Sequence, residues 1–173
     1  LIYRLDAKDR LTTLCQLSEP LVTALGLDTR GRLYAAGAPG GTIYDIGDGA
    51  AFTTPTAFCK TGEKYVWKLL GRPEGGFVAA TGASGRILNV GADGRSELLL
   101  DTDTENALDL LRTQDGRLLA VTQKKARIYD LTDPGKPFVL YEGKLEEGRA
   151  LVEDADGNLY LALNASAARR DIL

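Results

Sequence analysis

Four glutamates recur at nearly constant spacing: Glu19, Glu63, Glu105 and Glu146. Each lies four residues after an equivalent position, namely Cys15, Cys59, Asp101 and Glu142. Carboxylates gathered on one rim attract a cation, an amine or the basic side chains of a protein. Calcium asks for more, several oxygens converging at roughly 2.3–2.6 Å, and one Glu per repeat does not supply them. The competing reading is local: each Glu accepts a backbone hydrogen bond at a turn and recurs because the turn recurs. Beside the second glutamate stand Lys64, Tyr65 and Trp67, the last being the only Trp of the chain. An aromatic pair at the mouth of a channel can stack on a ligand; the same rings can equally fill space between packed sheets. Ser84, Lys124 and Arg149, with Lys68, are expected on the same face. With the glutamates they make a mixed-charge surface, suited to a protein or glycan contact rather than to phosphate.

The elements that must position these residues follow from a repeat of about 41 to 45 residues. Leu25–Gly37, Leu69–Gly82, Leu111–Thr122 and Val152–Ala162 each read as a short apolar run, a polar turn ending in Gly, and a second apolar run. Alternation within the runs is that of strands. The turns Thr29-Arg30-Gly31, Glu74-Gly75-Gly76, Gln114-Asp115-Gly116 and Ala155-Asp156-Gly157 carry residues that tolerate positive φ, as tight hairpins require. A period near 40 made of four short strands is the signature of a propeller blade. We label the strands a to d outward from the channel. The expected strands are 22–27, 32–36, 42–46 and 56–60 in the first blade; 65–71, 76–81, 86–90 and 96–100 in the second; and 108–112, 117–122, 126–131 and 137–141 in the third. An initial c–d pair (1–5, 11–17) and a final a–b pair (149–153, 158–163) complete the expectation. Residues 105–112 carry some helical period, which the repeat overrides. The b–c turns are Gly-rich at 37–41 and 82–85, whereas the third blade has Gln123-Lys124-Lys125 without Gly.

The fold expected is therefore all-β: a propeller of three complete four-stranded blades (about 21–63, 64–105, 106–146) and two complementary half blades (1–20, 147–165), with a tail at 166–173. The half blades suggest closure by joining c–d to a–b, which hides edge strands. A four-bladed ring, a portion of a six- to eight-bladed ring, and two copies sharing their half blades all fit. The opening Leu1-Ile2-Tyr3-Arg4-Leu5 reads as mid-strand, so a native start is not expected here.

Composition narrows the function classes. The net charge is −3 and no basic stripe exists, which argues against a nucleic-acid partner. No apolar run reaches the roughly 18–20 residues of a membrane-spanning helix. The chain has no His, so neither a Ser-His-Asp triad nor a His-bearing zinc site can be assembled from it. No cofactor or metal is expected. Cys15 and Cys59 occupy equivalent places in neighbouring repeats, too far apart for the roughly 5.5 Å Cα spacing of a disulfide, and are expected as separate thiols. The Gly-rich loop at 37–41 precedes a strand, whereas phosphate-binding loops open a helix. Asn164-Ala165-Ser166 fits a glycosylation sequon by chance.

The segment Thr61-Gly62-Glu63-Lys64-Tyr65-Val66-Trp67-Lys68-Leu69, with Phe77-Val78-Ala79-Ala80-Thr81-Gly82-Ala83-Ser84-Gly85-Arg86-Ile87 and Asp156-Gly157-Asn158-Leu159-Tyr160, resembles the repeats of bacterial WD40-like propeller proteins. The resemblance covers roughly residues 1–165, is specific for architecture, and implies an exported or periplasmic protein. More distantly the chain is similar to NHL-type and streptogramin lyase-like propellers. Lyases of that kind use a catalytic His and a metal; without a His, the resemblance implies their scaffold and not their activity. The expected role is a non-catalytic interaction module that binds a protein or extended ligand through the face carrying the d–a and b–c loops. The alternative is a lyase or hydrolase with its site at the channel mouth of a larger ring. A homodimer, or the remainder of a longer propeller, is the expected structural partner.

Overall fold

Among the described residues, six turns close by one backbone pattern. Asp6, Asp28, Arg72, Gly91, Thr113 and Asp154 each donate their N–H to the carbonyl four residues on, at 2.8–3.1 Å. The residue three on donates back to the first, and it has positive φ: Gly31, Gly75, Gly94, Gly116, Gly157 and, in the first turn, Asp9. Five of the six are Gly because that backbone conformation costs other side chains about 1–2 kcal/mol. Asp6, Asp28 and Asp154 reinforce the turn. In each, Oδ1 accepts from the N–H groups two and four residues on.

These turns join twelve of the sixteen strands in a computed structural model that describes residues 1–145 and 147–165. The first two, β1 (Ile2–Leu5) and β2 (Leu11–Cys15), pair antiparallel as a two-stranded sheet. The first full blade comprises β3 (Leu21–Leu27), β4 (Leu33–Ala38), β5 (Thr42–Gly47) and β6 (Thr56–Lys60), paired in that order. The second comprises β7 (Tyr65–Gly71), β8 (Phe77–Gly82), β9 (Arg86–Val90) and β10 (Ser96–Asp101). The third comprises β11 (Ala107–Arg112), β12 (Leu118–Thr122), β13 (Ile128–Asp130) and β14 (Phe138–Tyr141). A last pair, β15 (Glu147–Glu153) and β16 (Leu159–Asn164), forms another two-stranded sheet. Up-and-down order puts the a–b and c–d turns at one end of each blade and the b–c turn at the other, with the d–a connection. Within the region of helical period, 105–112, residues 107–112 are strand β11. The expected strand 126–131 is shorter: Lys124–Ala126 form a 3-10 turn and the strand is Ile128–Asp130. Without Gly, that turn sets Lys125 (φ 62) and Ala126 (φ 44) in the left-handed region.

The chain divides into two compact units, Leu1–Ala79 with Asn89–Glu97, and Ala80–Leu88 with Leu98 onward. In the first, β3 carries a register break at Val22/Ala24, and the Thr23 hydroxyl donates to the Val66 carbonyl on β7 at 2.7 Å. Ile2, Leu14, Cys15, Leu17, Ala35 and Ile46 form one core between β1–β2 and the first blade. Tyr34 lies edge-on to Phe58 and Phe77, with ring centres 5.0 and 4.8 Å away. Cys15 and Cys59 are buried free thiols, and burial raises both pKa values.

In the second unit Leu119, Val121, Ile128 and Leu151 form one core cluster, flanked by Leu111, Leu159 and Leu161. Here the inner strands β11 and β15 are joined by Asp109, 8% exposed, whose Oδ2 accepts the Leu151 N–H at 2.9 Å while Oδ1 accepts the Leu110 N–H at 3.0 Å. Asp109→Ala strands the buried Leu151 donor. Urea unfolding of this variant is expected to show a loss of about 1–3 kcal/mol, and an unchanged midpoint would show that Leu151 finds another acceptor.

The turn at Asp154 makes a pH prediction. Its carboxylate accepts from the Asn158 side chain (2.9 Å) and backbone and from the Tyr160 hydroxyl (2.8 Å), which hold its pKa down at about 2. The folded value lies below the ordinary carboxylate value of about 3.9. Its contribution to stability is therefore complete above that value and lost as pH falls through about 2. An NMR titration of the Asp154 carboxyl carbon should show a midpoint near 2; a midpoint near 3.9 would mean the turn is not formed in solution.

Candidate functional site

The d–a connections and b–c turns position the candidate side chains. In the first unit Glu19 folds back over the b–c turn of its blade. Its Oε2 accepts the Gly40 N–H at 2.6 Å and its Oε1 accepts the Tyr44 hydroxyl at 3.2 Å. Gly37 leaves the room this needs, since a Cβ there would lie 2.8 Å from the Glu19 carboxyl. Glu63 is buried, its N–H is bonded to the Thr61 hydroxyl, and its carbonyl lies against Gly41. Tyr65 and Trp67, two apart on β7 and so on one face of the strand, stack at 4.9 Å with 14° between planes. The Lys64 ammonium sits 5.2 Å from the Tyr65 ring centre, a cation–π distance. Lys64 is exposed and the two rings are half-buried.

In the second unit Glu105 and Lys124 come together. They share an open cleft of about 620 Å³ with Asp103, Gln123, Lys125 and Lys144. Three segments build it: the connection from β10 to β11, the 3-10 turn after β12, and the connection from β14 to β15. The first is pinned by hydroxyls, with Thr102 donating to the Gly85 carbonyl at 2.6 Å and lying 2.7 Å from the Thr104 hydroxyl. The second is tied to the first by a reciprocal pair: the Gln123 N–H donates to the Asn106 carbonyl at 2.9 Å, and the Asn106 amide donates to the Gln123 side-chain oxygen at 2.5 Å. The third is tied to the second by the Gly143 N–H on the Lys125 carbonyl at 2.9 Å. Glu142 anchors the base of this side. Arg127 (2.7 Å) and Lys125 (3.3 Å) pair with it, and their hydrogen bonds lower its pKa. Two further cleft residues, Asp103 (φ 55) and Lys125, hold left-handed backbone. Strained backbone of this kind concentrates at functional surfaces, held in place by the surrounding bonds.

Ser84 and Arg149 lie outside the cleft lining. Ser84 is half-buried in the b–c turn of the second blade, between Ala83 (φ 74) and Gly85 (φ 61). Arg149 sits at the register break of β15, where a bulge re-aims a side chain, and its guanidinium lies 3.3 Å from Glu147. Glu146 lies outside the described residues. Sequence reasoning missed Asp103, Lys125 and Lys144. The absence of Gly from 123–125 was the available signal, since a turn built from Lys there must expose those side chains. Among the described residues no three His, Cys, Asp or Glu side chains are grouped to hold a metal ion.

No protein-family model matches the chain, and no curated protein matches its sequence. Solved structures do resemble it. One is described as a candidate gluconolactonase, at 13% identity and TM-score 0.69, over 94% of this chain and 63% of that one. Another is a nidogen/laminin complex, at 15% identity and TM-score 0.68, over 93% of this chain and 65% of that one. At such identities the likeness shows the fold, a β-propeller, in agreement with the four-stranded antiparallel blades. This chain spans less than two thirds of the length of either neighbour.

Proposed function

We propose that the protein is a binding platform that takes a protein partner on the face carrying the b–c and d–a loops, with the cleft at Glu105 and Lys124 as its centre of contact. The observation that carries this reading is the chemistry of the cleft. It is open, it holds Asp103 and Glu105 beside Lys124 and Lys144, and its three segments are fixed by hydrogen bonds rather than left to order on contact. A mixed-charge rim on a rigid scaffold selects complementary partners and suppresses wrong ones through unpaired charge. Ordering its loops in advance spares the cost of fixing them on binding. The occurrence of a propeller in a nidogen/laminin complex supports protein binding as a use of this scaffold. Glycan binding, a larger ring and an exported location remain expectations of the sequence that this reading does not need.

The test uses peptides selected from a random display library on the whole chain, with affinity measured by calorimetry. The paired substitution Lys124→Glu with Lys144→Glu is expected to weaken the selected peptides by about tenfold or more, about 1.4 kcal/mol. Arg30→Glu, in the a–b turn of the first blade, should leave them unchanged. Equal binding to both variants would sink the proposal.

A further inference from the structure

The three outer strands of the full blades are a comparison built into the chain. β6 contains Thr56 and Lys60, and β10 contains Ser96, Glu97 and Asp101. Polar and charged residues on an outer strand discourage its free edge from pairing with another sheet. β14 has none. It reads Phe138-Val139-Leu140-Tyr141, and all four side chains are between 41% and 54% exposed. Among the described residues β14 pairs only with β13, so its outer edge carries unpaired backbone groups.

We propose that this edge pairs antiparallel with the same edge of a second copy of the chain, continuing the third blade into an eight-stranded sheet across a twofold axis. Charge complementarity of the residues flanking the strand selects this occupant. Lys136 precedes the apolar run and Glu142 follows it. With the axis at Val139, Lys136 of each copy faces Glu142 of the other, twice, and Phe138 faces Leu140, twice. An antiparallel isologous pair is the symmetry in which one patch meets itself, and a strand with opposite charges at its ends is complementary to its own reverse. Glu142 already accepts from Arg127 and Lys125. A carboxylate has about four acceptor sites, so it can take a further ammonium. Pro137 offers no N–H, which confines the pairing to the short run after it. The interface is accordingly small and the dimer weak.

Sedimentation equilibrium of the whole chain, at concentrations up to about 1 mM, is the experiment. Reversible dimerisation is expected, weakened by salt because the end pairs are exposed. Val139→Lys sets like charges opposite one another at the axis and should raise the dimer Kd by about tenfold or more. Lys136→Glu, at an exposed position outside the strand, should raise it too without touching the fold. Leu98→Lys, on the outer strand of another blade, should leave it unchanged. A monomer at every concentration overturns the proposal, as does a dimer indifferent to Val139→Lys and Lys136→Glu. Equal losses from Leu98→Lys and Val139→Lys also overturn it, because association would then be unspecific apolar contact.

Discussion

Gly85→Val is expected to cost the protein about 2–5 kcal/mol and to open the candidate cleft at the same time. Gly85 has φ 61, a conformation that costs a side-chain-bearing residue about 1–2 kcal/mol before any contact is considered. The contact is worse. A Cβ there would lie 2.1 Å from the Thr104 carbonyl oxygen and 2.9 Å from the Thr102 hydroxyl. Neither can yield like the end of a flexible side chain, and overpacking of this kind costs about 1–3 kcal/mol more. Thr104 lines the cleft and Thr102 pins the segment beneath it through the Gly85 carbonyl. Moving them moves Asp103 and Glu105. Calorimetric unfolding and peptide affinity should therefore fall together. Full affinity in a destabilised variant would separate the cleft from this turn. The same device stands at Gly41 in the first blade, where a Cβ would lie 2.0 Å from the Glu63 carbonyl.

Phe77→Ala should destabilise by about 3–5 kcal/mol, a large share of the stability of a domain of this size. Phe77 is fully buried, packs edge-on to Tyr34, and reaches the backbone of Gly26, where a Cβ would meet its ring at 3.2 Å. The space around it is shaped by strands of two sheets, β3 and β8, whose backbones cannot collapse onto an alanine. The denaturant midpoint should fall with the m-value unchanged. Phe77→Leu should recover part of the loss. A cost below about 1 kcal/mol would mean that Tyr34 or Phe58 swings into the void.

Strand positions were legible because two independent signals agreed. Alternation marked the strands, and a Gly at positive φ marked the a–b turns, at Gly31, Gly75, Gly116 and Gly157. Where the Gly signal lapses, at Gln123-Lys124-Lys125, a 3-10 turn replaced the start of a strand, and boundaries also differ by two residues at the ends of β2 and β4 and at the start of β15. The candidate site was legible only in part. Glu105 and Lys124 meet because topology places d–a and b–c loops at one end of a blade. Glu19 was recognised by spacing, but spacing cannot tell a carboxylate that faces outward from one that bonds the Gly40 N–H. Asp103, Lys125 and Lys144 enter the cleft through loop conformations held by long-range bonds, such as Gly143 to Lys125, which leave no periodic trace in the sequence.

The bond from Asp109 to the Leu151 N–H bears on how the last hairpin opens. A two-stranded ribbon such as β15–β16 is marginal by itself and would fray on its own timescale. Leu151, however, lends its amide to a carboxylate on β11. Solvent exchange at that amide then reports the opening of the third blade rather than local fraying, and the hairpin belongs kinetically to the blade before it.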